Sequence, residues 1–155
     1  MHQRAPDFLV PSVGWRVWVV VQHLGRLRLA SVLYPTLWPV RHELIADCQT
    51  QAAHAVPHAQ CLCGIYAANR VDTSVSYFDG RGAGTPAEVY RVVGEVSLWG
   101  SVIEGERGWR ASHAYPRRLY VPSRSLAGST TVTPAEVALD LTAYGVPVEL
   151  LDAAT

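Results

Sequence analysis

Three cysteines, Cys48, Cys61 and Cys63, lie within sixteen residues, and two histidines, His54 and His58, stand between the first and the second. Thiolate sulfur and imidazole nitrogen are the donors of closed tetrahedral zinc sites, and three thiolates with one imidazole make a Cys3His set. The expected ligands are Cys48, His58, Cys61 and Cys63, around a structural zinc ion. Residues 48–69 contain no Arg, Asp or Glu, which suits a segment organised by a metal rather than by ion pairs. The Cys61-Leu62-Cys63 spacing is shorter than that of ordinary zinc knuckles, so two other uses of these residues stay open. One is packing, with three half-buried thiols in a small-residue segment. The other is thiol chemistry. Cys61 and Cys63 precede what reads as a helix start near Cys63-Gly64, and a helix N-terminus lowers a thiol pKa. His58 would assist. Cys48 would be the resolving partner, because a Cys-x-Cys ring is strained.

A second constellation runs from Arg107 to Arg124, where Arg107, Arg110, Arg117, Arg118 and Arg124 alternate with Trp109, His113, Tyr115 and Tyr120. Cations for phosphates and rings for bases are what a single-stranded nucleic-acid binder needs on a sheet. Its candidate contacts are Trp109, Arg110, His113, Tyr115, Arg117 and Arg118. Against it, Trp109 follows a hairpin turn and reads as core, and Glu104 and Glu106 stand close by. The whole chain also carries 13 Arg against 13 acids, so most of the electrostatic drive is missing. Other matches fail on inspection. His42-Glu43-Leu44-Ile45-Ala46 begins like a zinc-protease helix but has alanine where the second histidine is needed. Gly80, Gly82 and Gly84 lead into Pro86 rather than a phosphate loop. No deaminase P-C-x-x-C and no serine nucleophile elbow occurs.

The elements that must position these residues are mainly strands. In Trp15–Gln22 the residues Trp15, Val17, Val19 and Val21 alternate with Arg16, Trp18 and Val20, and both faces are apolar enough to be covered. His23-Leu24-Gly25 turns the chain into Arg26–Leu33, a strand with a polar outer face. His42–Gln49 reads as a short helix or a strand, and Asp79–Pro86 as a loop. Glu88–Ile103 is a strand with bulges or corners at Gly94 and Gly100. Trp109–Tyr115 returns after a hairpin loop. Pro116 ends it, and Leu119-Tyr120-Val121 forms one more strand. Thr133, Pro134 and Glu136 make a capping box for a C-terminal helix that stops at Gly145. Five tryptophans suggest core and hairpin packing. Trp99, beside Gly100, is expected to pack near Trp15 or Trp18.

The chain is 155 residues long, 49% apolar and 17% charged, which fits one folded domain, residues 1–155, with an extended arm at 1–13 and a helix at 133–145. The expected class is α+β: a mainly antiparallel, curled sheet or small open β-barrel with a C-terminal helix. Every basic residue is arginine and all lie in residues 1–124, with 9 acids, whereas residues 125–155 hold four acids and no base. That asymmetry reads as intramolecular complementarity. No apolar run reaches the roughly 20 residues that span a bilayer, so no membrane partner is expected. Three cysteines cannot all pair, and a reducing cytoplasm is the simplest setting.

The blocks Cys61-Leu62-Cys63-Gly64-Ile65-Tyr66-Ala67, Gly94-Glu95-Val96-Ser97-Leu98-Trp99-Gly100 and Gly108-Trp109-Arg110-Ala111, with Ala114-Tyr115-Pro116, resemble those of a group of small bacterial proteins, mainly actinobacterial. The resemblance covers roughly residues 14–121 and implies a bacterial domain, with no activity, cofactor or catalytic residue attached to it. With no paired carboxylates, triad or phosphate loop, the residues point to a noncatalytic binding or adaptor domain carrying structural zinc, for a protein or small-molecule partner. A thiol enzyme or redox protein using Cys48, Cys61, Cys63 and His58 is the alternative. Single-stranded nucleic-acid binding is the third reading.

Overall fold

The computed structural model describes residues 2–4, 11–32, 36–48, 54–75, 88–123 and 131–151. The expected loop 79–86 and Arg124 lie outside the described residues. Three long strands carry the fold: β2 (Ser12–His23), β6 (Glu88–Glu104) and β7 (Gly108–Val121). Around them stand β1 (His2–Arg4), β3 (Arg26–Ala30), β4 (Leu44–Ile45), β5 (Ile65–Ala68), α1 (Val71–Val75), α2 (Pro134–Leu141) and β8 (Val148–Leu150).

The alternation in β2 does what it predicts. Trp18 and Val20 enter one apolar cluster and Val17, Val19 and Val21 another, so both faces of the strand are buried. Leu24 and Gly25, both at positive φ (51° and 77°), turn β2 into β3, a turn whose twist matches the strands it joins. β6 pairs with both β2 and β7, and the register slips at Glu95/Val96 and at Trp99/Val102. The second slip needs Gly100. Its φ is +83°, and a Cβ there would collide with the Ser112 hydroxyl.

Two expectations about β7 and its neighbours change. Pro116 does not end the strand. It faces Val96 at the first register slip, where the missing N–H falls in a bulge rather than in a regular ladder. Residues 65–68 are strand β5, not helix, because Ile65 and Ala67 are buried while Tyr66 is exposed, a period of two. The helix comes later and is short, α1.

The sheet is mixed, since β8 runs parallel to β7 while the other pairs are antiparallel. The pairings β2–β6, β6–β7, β7–β5 and β5–β2 form a ring, but β5 and β2 meet at one residue pair only, Trp15 opposite Ala68. The architecture is therefore sheet-rich α+β, and it is not a clear barrel. The N-terminal arm contributes β1 to the edge of β6.

Thr133 caps α2 as read from its sequence: its hydroxyl accepts from Glu136 N–H at 3.1 Å, and Glu136 Oε1 accepts from Thr133 N–H at 2.9 Å. A 3-10 turn, Thr142–Tyr144, and Gly145 end the helix. Val137, Leu141 and Tyr144 bury its inner face. The open edge of β3 is closed by side chains of α2 and of the 3-10 turn that follows it, because Leu27 N–H donates to Asp140 Oδ2 and Leu29 N–H to the Tyr144 hydroxyl, both at 2.9 Å. The acidic C-terminal stretch does meet the basic body, through Arg118 and Glu149 at 2.6 Å.

The tryptophans divide differently from expectation. Trp18 and Trp38 pack edge to face at 5.5 Å in the core, and Trp15 stacks on Tyr120. Trp99 is only half-buried and stacks on His113 at 6.1 Å, away from Trp15 and Trp18. Strand alternation sets this: Trp99 lies opposite His113 in unbroken register with the Leu98–Ala114 pair, before the slip at Gly100, and so faces away from buried Leu98 and Ala114.

Candidate metal centre

β7 is the bench on which the cysteine segment is assembled. β4 pairs with Ala114 and His113, and Ala46 N–H continues the ladder to Ser112 O at 2.8 Å. β5 begins opposite Ala111, the next residue of β7. The chain thus leaves β7 after Ala46 and returns at Ile65 to almost the same place, closing a loop whose neck lies over Ala111 and Ser112. Cys48 stands on the outgoing limb of that neck and Cys63 on the returning limb.

Arg110 of β7 holds the returning limb. Its Nη1 donates to His58 O at 3.0 Å and to Cys63 O at 2.8 Å. Cys61 N–H donates to His58 O at 3.1 Å, and the Tyr66 hydroxyl donates to Leu62 O at 2.5 Å. Gly64 has φ +117°, and a Cβ on it would lie 3.1 Å from Pro57 Cβ and 3.3 Å from Arg110 Cβ. A side chain there would be strained and would press the loop off β7.

These anchors bring four donors together. One ligand atom from each of Cys48, His54, Cys61 and Cys63 lies within 4.8 Å of all the others, close enough for the four to bind one metal ion. The sulfurs of Cys48 and Cys61 are 3.7 Å apart and unbonded. Two thiolates on a tetrahedral zinc, with Zn–S about 2.3 Å, would stand roughly 3.8 Å apart. The imidazole in the group is His54, which corrects the expected His58. His58 is exposed, and its Nδ1 accepts from Gln60 N–H at 3.2 Å. Its ring lies beside that of His54, with centroids 4.9 Å apart. His54 Nδ1 is 2.8 Å from Ala55 O, so this nitrogen carries the proton and donates, and Nε2 is left as the lone-pair atom. That Nε2 is buried and has no hydrogen-bond partner. Nothing in residue type or spacing separates His54 from His58. The choice comes from the loop's path.

The electrostatics follow the same contacts. The Ala55 carbonyl holds the His54 pKa above its ordinary value. The Cys63 N–H lowers the Cys61 thiol, while burial raises that of Cys63. Three sulfurs and one nitrogen fill a tetrahedron, so a metal held by all four keeps no position for a substrate.

Several side chains of the arginine-aromatic segment are engaged within the fold. Arg117 pairs with Glu95 at 2.8 Å and Arg118 with Glu149, and Arg110 serves the loop carbonyls. The Tyr115 hydroxyl donates to Tyr144 O at 2.7 Å and accepts from Arg41 N–H at 2.7 Å. His113 stacks under Trp99, with Nδ1 2.7 Å from the Ser112 hydroxyl. Trp109 is half-buried and, with Trp15, Tyr66, Leu62, Ile45 and Cys61, lines an open groove of about 1120 Å³ beside the thiols. Among the described residues no helix is long and apolar enough to cross a membrane. No family model, no curated protein and no solved structure matches the chain.

Proposed function

We propose that this chain is a small noncatalytic binding domain whose cysteine loop is tied to β7 by a structural zinc ion on Cys48, His54, Cys61 and Cys63. One observation carries the reading: the buried, unpartnered Nε2 of His54 within a group of three thiols. A buried nitrogen without a partner is costly, and a cation shared with the sulfurs removes the cost. The donor set is soft and four in number, which favours zinc over the harder divalent ions. The groove beside the loop is the surface offered to a protein or small-molecule partner, with Trp15, Tyr66 and Trp109 as its rings.

Elemental analysis with thiol titration tests the metal. The expected result is one zinc per chain with thiols that react slowly until a chelator is added, and a melting temperature that chelator lowers. Cys61→Ser should melt lower and ignore chelator. A metal-free wild-type chain whose melting is indifferent to zinc would overturn the assignment.

A further inference from the structure

The two thiols that face each other across the loop neck differ in access. Cys48 is 9% exposed and lies on the outgoing limb. Cys61 is half-buried, and both thiols line the open groove. Their sulfurs are 3.7 Å apart, so a bond between them asks for a closure of less than about 2 Å, given an S–S length near 2.05 Å. Cys63, two residues from Cys61, is the poorer partner for it, because the intervening peptide strains so small a ring.

We infer that the Cys48–Cys61 pair makes the metal centre a peroxide-sensitive switch, in which oxidation joins the two limbs by a disulfide and releases the ion. The inference rests on the zinc reading above. The Cys61 thiolate, reached through the groove, attacks one oxygen of a hydroperoxide. An S–O bond forms, the O–O bond breaks, and the leaving oxygen departs as water or alcohol with a proton. The Cys48 thiolate then attacks the Cys61 sulfur. An S–S bond forms, the S–O bond breaks, and the hydroxide leaves as water on taking a second proton. The two sulfurs lose two electrons and the peroxide gains them. Cys63 and His54 remain as the only donors, too few to hold a tetrahedral zinc. A thiol reductant reverses the step by exchange and restores the site.

The test uses the full zinc-loaded chain titrated with hydrogen peroxide. Zinc release is followed with a chromogenic chelator, and the cross-link is mapped by mass spectrometry of unreduced peptides. The expected outcome is release of one zinc per chain, loss of two of the three thiols, a cross-link between the Cys48 and Cys61 peptides, and recovery of thiols and zinc uptake with dithiothreitol. In Cys48→Ser, Cys61 should stop at the sulfenic acid and be captured by dimedone. If that variant does not fold, the mapping on the unaltered chain decides alone. A Cys61–Cys63 link, oxidation with zinc retained, or no thiol loss until far-UV dichroism collapses would overturn the switch. A chain that takes up no zinc would overturn the metal reading and the switch with it, whereas one that holds zinc through peroxide overturns the switch alone.

Discussion

His54 and His58 are neighbours in space, chemically identical, and assigned different work by their hydrogen bonds. His54 gives its Nδ1 proton to Ala55 O and keeps Nε2 for the thiols, while His58 uses Nδ1 to hold Gln60 N–H. His54→Ala should therefore weaken zinc binding by more than about tenfold, and His58→Ala should change it little, as measured by competition with a chelator of known affinity. Equal losses in both variants would show the ligand choice to be wrong. Acid dissects the same site. In the metal-free protein the raised His54 pKa means that protonation contributes stability fully below the ordinary value, and that contribution fades as pH rises through the folded value. Zinc reverses the sign, since only the neutral ring can bind it. Zinc affinity should fall on acidification, first as the three thiols compete with the ion for their protons and then further as His54, its pKa raised, takes up its own. A pH titration of zinc affinity, with His54→Ala as reference, reads this directly.

At the scale of elements, β4 and β5 contribute six residues of strand between them, yet they place the metal loop. Neither would stand alone as a strand. Each exists because β7 offers consecutive ladder positions, and Arg110 then fastens the loop by charge-assisted bonds to two carbonyls. Arg110→Ala removes both bonds and should cost about 1–3 kcal/mol in urea unfolding of the metal-free protein. Zinc affinity should fall with it, although Arg110 donates nothing to the ion. Gly64→Ala should act in the same direction by a different route, forcing a side chain into φ +117° against Pro57 and Arg110, at about 1–3 kcal/mol. Unchanged zinc affinity in both variants would mean that the loop holds its shape without β7.

Over the whole molecule the indole rings separate core from surface. Trp18 is fully buried against Trp38, and truncating it leaves a large cavity at the centre of the sheet. Trp18→Ala should cost about 3–5 kcal/mol, a large share of a small domain's stability. Trp99 leans on His113 at the surface, so Trp99→Ala should cost about 1 kcal/mol or less. Denaturant unfolding of the two variants side by side checks the ranking, and a reversed order would place Trp99 in the core after all.

Much of this architecture could be read along the chain because its causes are local. The alternation of Trp15–Gln22, the Leu24-Gly25 turn and the Thr133-Pro134-Glu136 cap each depend on residues within a turn or two of one another, and each forms as its pattern predicts. The three thiols were legible as candidate ligands from their crowding within sixteen residues, but only the pairing of β4 and β5 with β7 brings them together. What spacing could not supply was anything that depends on register across the sheet. Ile65–Ala68 reads as helix in isolation and becomes strand because β7 pairs with it, and Pro116 reads as a stop and becomes a bulge because Val96 faces it. Trp99 stays half-buried because β7 pairs it with His113, on the face opposite buried Leu98. His54 takes the place of His58 because Arg110, more than fifty residues further along the chain, pins one side of the loop. Side-chain pattern sets which face of a strand is apolar. Which strand it meets, and at which residue, is a free-energy difference summed over both partners, and no stretch of one chain segment contains it.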